Sequence, residues 1–419
     1  MRQAHLVSLC TYRKAALLSC FLTCCLLVVS ACGQSTLTAN TTSPKPVRIG
    51  ASLPLSGDRA PDGQALKRGY ELWRDAINKQ GGLLGRPVEL DMKNDNSDKN
   101  QVVTDYQNLI TVDKVDLVFA PFSSVLTVTG APVAHRYGYA YISGTGGIDT
   151  LYNLNFRENF NVSLPIRSYL DTFDDYILSL PAAQRPKTVT YIGEDNPFAT
   201  LQLSRAQDTL KRKGLQTSLY QIYPETTTDY TPLIQKVIQA NADIVVLGTH
   251  VDDCVAFVKG LRQQHYNPKA LIATGGPDAG VQFTDPIGGV QRAEGIFVPN
   301  GGWYPDATTY QNAAFVSSYL TKYGGKKIDI NSGSAQGYAV GQVLEQAVKK
   351  ANSIDNTKII DELHKDTFNS TQGPVKFSAK GENMAAAPYL FQWLHGQLLI
   401  VFPFDQAQSA PEYPKQSWP

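Results

Sequence analysis

The stretch from residue 117 to 147, LVFAPFSSVLTVTGAPVAHRYGYAYISGTGG, constrains this chain more than any other. It holds two short apolar runs, Leu117-Val118-Phe119 and Ala140-Tyr141-Ile142, each with the length and bounding residues of a buried strand. Between them, residues 125–137 carry a helical apolar spacing. The result is a βαβ unit whose two strand ends open at one edge of a parallel sheet. In open α/β sheets that edge is where ligands bind. Small polar residues follow each run: Ser123-Ser124 after the first, and Ser143-Gly144-Thr145-Gly146-Gly147 after the second. Their hydroxyls and backbone N–H groups suit a small anion such as a carboxylate. The competing reading is that Ser123-Ser124 caps the following helix.

The alternation extends both ways. Val47-Arg48-Ile49-Gly50 reads as a strand. Residues 64–79 place Leu66, Tyr70, Trp73 and Ile77 on one helical face, and Gly81-Gly82 stops them. Residues 88–92 alternate as a strand, and 102–112 form the next helix. Asp95-Asn96-Ser97-Asp98 has half the ligands of a calcium loop but neither its Gly nor its distal Glu, so it reads as a turn and helix cap. After Asn155-Phe156-Arg157 the pattern restarts. Helices at 168–180, 201–213, 230–239 and 255–264 alternate with strands at 188–192, 218–222, 242–247 and 270–273. Residues 295–299 lead out of this second series. Helices at 314–323 and 335–351 fit either lobe, a strand follows at 372–377 and a hairpin at 389–401. The tail from Pro403 should lie along the surface. A length of 419 residues exceeds what one core usually holds, so two α/β lobes, each a doubly wound parallel sheet, are expected.

The N-terminus stands apart. Arg13-Lys14 precede an apolar run from Ala15 to Val29, too short for a comfortable membrane span and suited to a signal peptide. Val29-Ser30-Ala31-Cys32 resembles a bacterial lipobox, which implies that Cys32 is lipidated and begins the mature chain. Cys10, Cys20, Cys24 and Cys25 then leave with the signal, and Cys254 remains as a small buried residue. That excludes an internal disulfide and a cysteine metal site. Residues 34–46, rich in Ser, Thr, Asn and Pro, cannot bury a core and read as a tether.

Net charge is +1 with both signs interspersed, which gives no nucleic-acid footprint. The chain has no Gly-x-Ser-x-Gly elbow, His-Glu-x-x-His, P-loop or Gly-x-Gly-x-x-Gly after a strand. His135 and His265 lie in helical segments without partner spacing. No enzyme and no cofactor or metal is expected; a lipoprotein serine hydrolase is the remote alternative.

Several ordered segments resemble one family. These are Val47-Arg48-Ile49-Gly50 with Leu55-Ser56-Gly57, Gly81 to Leu90, Ala120-Pro121-Phe122-Ser123-Ser124, Asp229 to Ile234, and Asn369 to Phe377. In this order, over residues 47–401, they resemble leucine/isoleucine/valine-binding solute receptors, the extracytoplasmic receptors of ABC importers with the type I periplasmic binding fold. The resemblance implies two lobes joined by three hinge crossings, placed near 157–161, 298–302 and 373–376. The division expected is a signal peptide over 1–31, a tether over 32–46, lobe one over 47–158 and 300–374, lobe two over 159–299 and 375–405, and a tail over 406–419. It also implies partners: permease subunits with their ATPases, and the membrane through the lipid.

By the same resemblance, Ser124 with Thr145, Gly146 and Gly147 would hold an amino acid's carboxylate, and Asp278 its ammonium; Ser123, beside Ser124, is a further ligand-binding candidate. Phe198 and His250 stand where the branched-chain receptors carry Tyr. Asp62, Trp303 and Tyr304 are further candidates for the pocket. The loop 58–63 lacks the aromatic of those receptors, His250 replaces Tyr, and Asp278 is shorter than Glu, so a more polar pocket is implied. A small or polar amino acid, an amide or urea all fit. A sensor subunit of the same fold is the alternative role.

Overall fold

Two sheets, each covered by apolar side chains on both faces, set the architecture. The computed structural model describes residues 44–300 and 303–418; the expected signal peptide, Cys32 and most of the tether lie outside these.

The first lobe begins β1 (Val47–Leu53), α1 (Ala60–Lys79), β2 (Val88–Asn94), α2 (Lys99–Thr111), β3 (Leu117–Phe119), α3 (Ser124–Arg136), β4 (Tyr141–Ser143), α4 (Asp149–Asn153) and β5 (Asn159–Asn161). Its sheet has the order β2-β1-β3-β4-β5, all parallel. β1 is buried along nearly its whole length and sits inside the sheet, whereas β2 exposes part of its length and forms an edge. The short apolar runs of β3 and β4 are fully buried, as parallel strands flanked by helices on both faces must be.

The second lobe follows with α5 (Asp171–Ser179), β6 (Thr188–Glu194), α6 (Pro197–Arg212), β7 (Gln216–Tyr223), α7 (Thr231–Ala240), β8 (Ile244–Gly248), α8 (Val251–Gln263), β9 (Ala270–Ala273), α9 (Val281–Ile287) and β10 (Ile296–Asn300). The chain then returns to the first lobe as α10 (Asn312–Tyr323), α11 (Ser332–Ala351), α12 (Asn356–Lys365) and the hairpin β11 (Thr367–Ser370)–β12 (Gly373–Lys376). It ends in the second sheet as β13 (Tyr389–Leu394) and β14 (Gln397–Phe402), giving the order β14-β13-β10-β9-β8-β6-β7. The last two strands are antiparallel, so this sheet is parallel with an antiparallel edge.

Each sheet separates two apolar clusters. In the first lobe, α1, α10, α11 and α12 cover one face and α2 with α3 the other. Trp73 of α1 packs edge-on to Phe119 with centroids 5.6 Å apart and donates its Nε1 to Glu345 of α11 at 3.2 Å. Helices α1 and α11 approach closely because Gly69 meets Gly337: a Cβ on Gly69 would lie 2.2 Å from the Ser334 carbonyl oxygen. Burial of α11 on nearly all sides follows from its Gly, Ala and Ser content.

Two expected boundaries shift. Asn159–Asn161 pairs with β4, so the first crossing comes after residue 161 rather than at 158. Val375 and Phe377 are buried in the first lobe's core, so the third crossing also falls later. The tail is pinned to the second lobe: Lys415 donates its N–H to the Lys269 carbonyl at 2.8 Å, and Trp418 Nε1 donates to the Tyr266 carbonyl at 2.8 Å. Among the described residues no helix is long and apolar enough to cross a membrane.

Candidate ligand-binding cleft

The strand ends of both sheets face one cleft, and the turns after them line it. After β3 the chain turns through Ser123, held at φ +76°. A non-glycine residue in this region carries strain of order 1–3 kcal/mol, which the surroundings must impose. The turn aims the two serines differently. Ser123 Oγ accepts the Leu126 N–H at 3.3 Å and caps α3. Ser124 Oγ is buried, 3% exposed for the residue, and has no hydrogen-bond partner in the protein. As first residues of α3, Ser124 and Val125 also present N–H groups without intrahelical acceptors.

After β4, Gly146 adopts φ +73° and lies against the Ser123 turn; a Cβ there would meet the Ser123 carbonyl oxygen at 2.8 Å and Thr127 Oγ1 at 2.7 Å. Only glycine lets these two loops touch. Thr145 is buried, its carbonyl accepting from Asn161 Nδ2 at 2.8 Å.

From the second lobe come Phe198 at the start of α6, His250 between β8 and α8, and Asp278 after β9. Residues Asp62, Phe122, Ser123, Ser124, Thr145, Gly146, Tyr169, Phe198, His250 and Asp278 surround one cavity of about 80 Å³, with Ser332 and Gln336 of α11. An outer cavity of about 300 Å³ shares Ser123, Ser124, Phe198 and His250.

Three sequence candidates lie elsewhere. Gly147 is buried beneath the cleft, its carbonyl bonded to the Ile166 N–H at 2.9 Å and its α-carbon packed on Tyr152 and Asn161. Trp303 belongs to the first lobe's core, donating Nε1 to Asn312 at 2.7 Å. Tyr304 packs on Phe391 behind Asp278, in a separate small apolar cavity.

Electrostatics divide the cleft into a neutral and an acidic side. Asp278 accepts the Ser332 hydroxyl at 2.6 Å, and burial raises its pKa against that bond. Burial also pushes Asp62 up to about 7, with the Arg59 charge pulling the other way and Asp278 adding to the rise. Among the described residues no Lys or Arg lines the inner cavity.

At the rim the lobes are tied by ion pairs that spacing alone did not reveal. Arg59, before α1, meets Glu194 at the end of β6 at 2.8 Å and Glu225 at 3.2 Å. The Arg59 and Glu194 side chains are only 10% and 6% exposed. His250 Nδ1 lies 3.1 Å from Glu194, and its ring packs on Phe198 at 4.9 Å. Burial, helped by the Arg59 charge, lowers His250 to about 4. Glu194 is pushed up by burial, but the His250 N–H and the Arg59 guanidinium outweigh this and hold it below its usual range. His250 is thus neutral near pH 7. Its Nδ1–H donates to the Glu194 carboxylate, and Nε2 remains an acceptor. Below the cleft, Gln282 Nε2 donates to the Pro61 carbonyl at 3.0 Å, another bond between lobes.

The family described as periplasmic binding protein matches residues 46–397. Leu/Ile/Val-binding protein homolog 8 of Brucella suis biovar 1 is 25% identical over 390 residues, spanning 90% of this chain and 96% of its own. The branched-chain amino acid transporter substrate-binding protein LivJ of Streptococcus pneumoniae, solved in complex with isoleucine, superposes with a TM-score of 0.73 at 20% identity. It covers 89% of this chain and 100% of its own. A solute-binding protein of an ABC transporter from R. palustris, solved with benzoate, gives 0.74 at 19% identity, covering 89% of this chain and 98% of its own. These are receptors rather than enzymes. With two doubly wound lobes, three crossings and a cleft at the strand ends, the chain belongs to the periplasmic binding protein family, in its type I, leucine/isoleucine/valine-binding-like form.

Proposed function

We propose that the chain is the extracytoplasmic receptor of an ABC importer, anchored by lipid at Cys32, that closes its lobes on a small α-amino acid and delivers it to a permease. The observation that carries this reading is Ser124 Oγ, buried and unpartnered on the first lobe, with Asp278 facing the same cavity from the second. Ser124, Thr145 and Gly146 supply neutral dipoles for a carboxylate without burying a counter-charge. Asp278 supplies the partner for an ammonium, since burying either ligand charge alone would be costly. Anchoring the two charges on opposite lobes makes ligand favour the closed form. A relative named for leucine, isoleucine and valine, and a structural neighbour holding isoleucine, support the amino-acid class.

The polar cavity supports a second reading, an amide or urea receptor, because Asp62 and Asp278 also accept neutral N–H donors. A thermal-shift screen over amino acids, amides and urea separates the two, since binding to the folded state raises its melting temperature. Stabilisation by amides or urea alone would replace the amino-acid reading. Replacing Cys32 with Ser should abolish incorporation of labelled fatty acid; equal labelling of wild type and variant would remove the anchor.

A further inference from the structure

Besides Asp278, a second carboxylate faces the inner cavity. Asp62 lies in the first turn of α1, where an acid would ordinarily serve the helix. Here it caps nothing: the residue preceding α1 is Arg59, α1 has no side-chain cap, and among the described residues no group hydrogen-bonds to the Asp62 side chain. The cation whose charge acts on it is Arg59, which is already committed at 2.8 Å to Glu194 and at 3.2 Å to Glu225. The cavity therefore holds two carboxylates, one from each lobe, and no cation of its own. An α-amino acid brings one ammonium, which leaves one of the two unmatched.

We propose that the ligand is a short diamino acid, with its α-ammonium on Asp278 and a second, side-chain ammonium on Asp62. The inference rests on the amino-acid reading of the cleft and narrows it. The carboxylate end is marked separately by Ser124, whose Oγ is buried, unpartnered and part of the same wall. The inner cavity, where both carboxylates lie, is only about 80 Å³, which favours a short side chain over a long one. Burial, with a smaller contribution from the Asp278 charge, holds Asp62 up at about 7 against the pull of Arg59, and a cation placed beside it would favour its ionised form.

The test compares 2,4-diaminobutyrate with norvaline, which has the same number of heavy atoms and a methyl in place of the side-chain ammonium. Both are titrated calorimetrically into the wild-type chain and the Asp62→Asn variant. The wild type should bind the diamino acid at least about tenfold tighter than norvaline, and Asp62→Asn should abolish that preference, bringing the ratio of the two affinities close to one. Norvaline bound as tightly as the diamino acid by the wild type would overturn the proposal and leave the amino-acid reading intact. An equal loss of both ligands on Asp62→Asn would place both carboxylates on one ammonium and also overturn it. Binding of urea or acetamide with neither amino acid would overturn the reading beneath it. The wild-type comparison stands alone should the variant fold poorly.

Discussion

Replacing Ser124 with Ala should move stability and affinity in opposite directions. Within the protein itself, Ser124 Oγ is buried without a hydrogen-bond partner. An unsatisfied buried hydroxyl costs about 1–3 kcal/mol, so its removal should leave the fold as stable or about 1 kcal/mol more stable. For a chain of this size that is a rise of roughly 1 °C in melting temperature. With ligand bound, the same hydroxyl would donate to a buried carboxylate, a bond to a charged group contributing about 1.5–3 kcal/mol. Affinity should fall roughly ten- to hundredfold. Ser123→Ala is the matched control. Its Oγ caps α3 at 3.3 Å, so stability should drop by about 1 kcal/mol with affinity little changed. Calorimetric titration and thermal unfolding on both variants give four numbers. Unchanged affinity with a lower melting temperature for Ser124→Ala would refute the reasoning, because it would make Ser124 a cap and move the site elsewhere.

Asp278→Asn should cost an α-amino acid about 2–5 kcal/mol and a neutral amide or urea much less; equal losses in titration would detach Asp278 from the ammonium. Arg59→Ala leaves Glu194 buried beside a neutral His250, at a cost of about 3–5 kcal/mol to the closed arrangement. Since closure is common to all ligands, every ligand should weaken by the same factor, and an uneven loss would mean Arg59 touches ligand directly. Asp174 on α5 is buried, its Oδ1 has no partner, and burial with the charges of Asp171 and Asp175 pushes it up to about 9. The folded state then keeps a proton that the unfolded chain releases, so this residue makes stability fall as pH rises from about 4 to about 9. Asp174→Asn should flatten that slope and add roughly 2–3 kcal/mol at pH 8; denaturant melts at several pH values that match wild type would contradict it.

Much of the fold was legible because parallel sheets covered on both faces write themselves as continuous apolar runs. Leu117–Phe119 and Ala270–Ala273 are strands over those very residues. Asn159–Asn161 was not legible, because a strand of Asn-Phe-Asn carries no apolar run and is held only by pairing with β4. Helix α12 was also missed, although Asp355 caps it and Ile359, Ile360 and Leu363 form its buried face. In the cleft, the strand-end serines, Thr145, Gly146, His250 and Asp278 meet as their positions suggest. Trp303 and Tyr304 do not, because aromatic side chains beside a crossing are drawn into the two cores. The Arg59–Glu194 pair and Ser332 escaped notice for a different reason. Each joins residues more than fifty positions apart, and no local pattern encodes such a pairing.

The claim that one cleft holds both charged ends of an α-amino acid meets its most direct test in a titration series on three ligands. These are an amino acid that binds, its analogue lacking the α-amino group, and its analogue lacking the carboxylate. Both truncated ligands should bind at least about thirtyfold more weakly than the parent, because each strands either Asp278 or the Ser124 pocket without its partner. A des-amino analogue binding as tightly as the parent would contradict the claim and make the cleft a site for simple carboxylates.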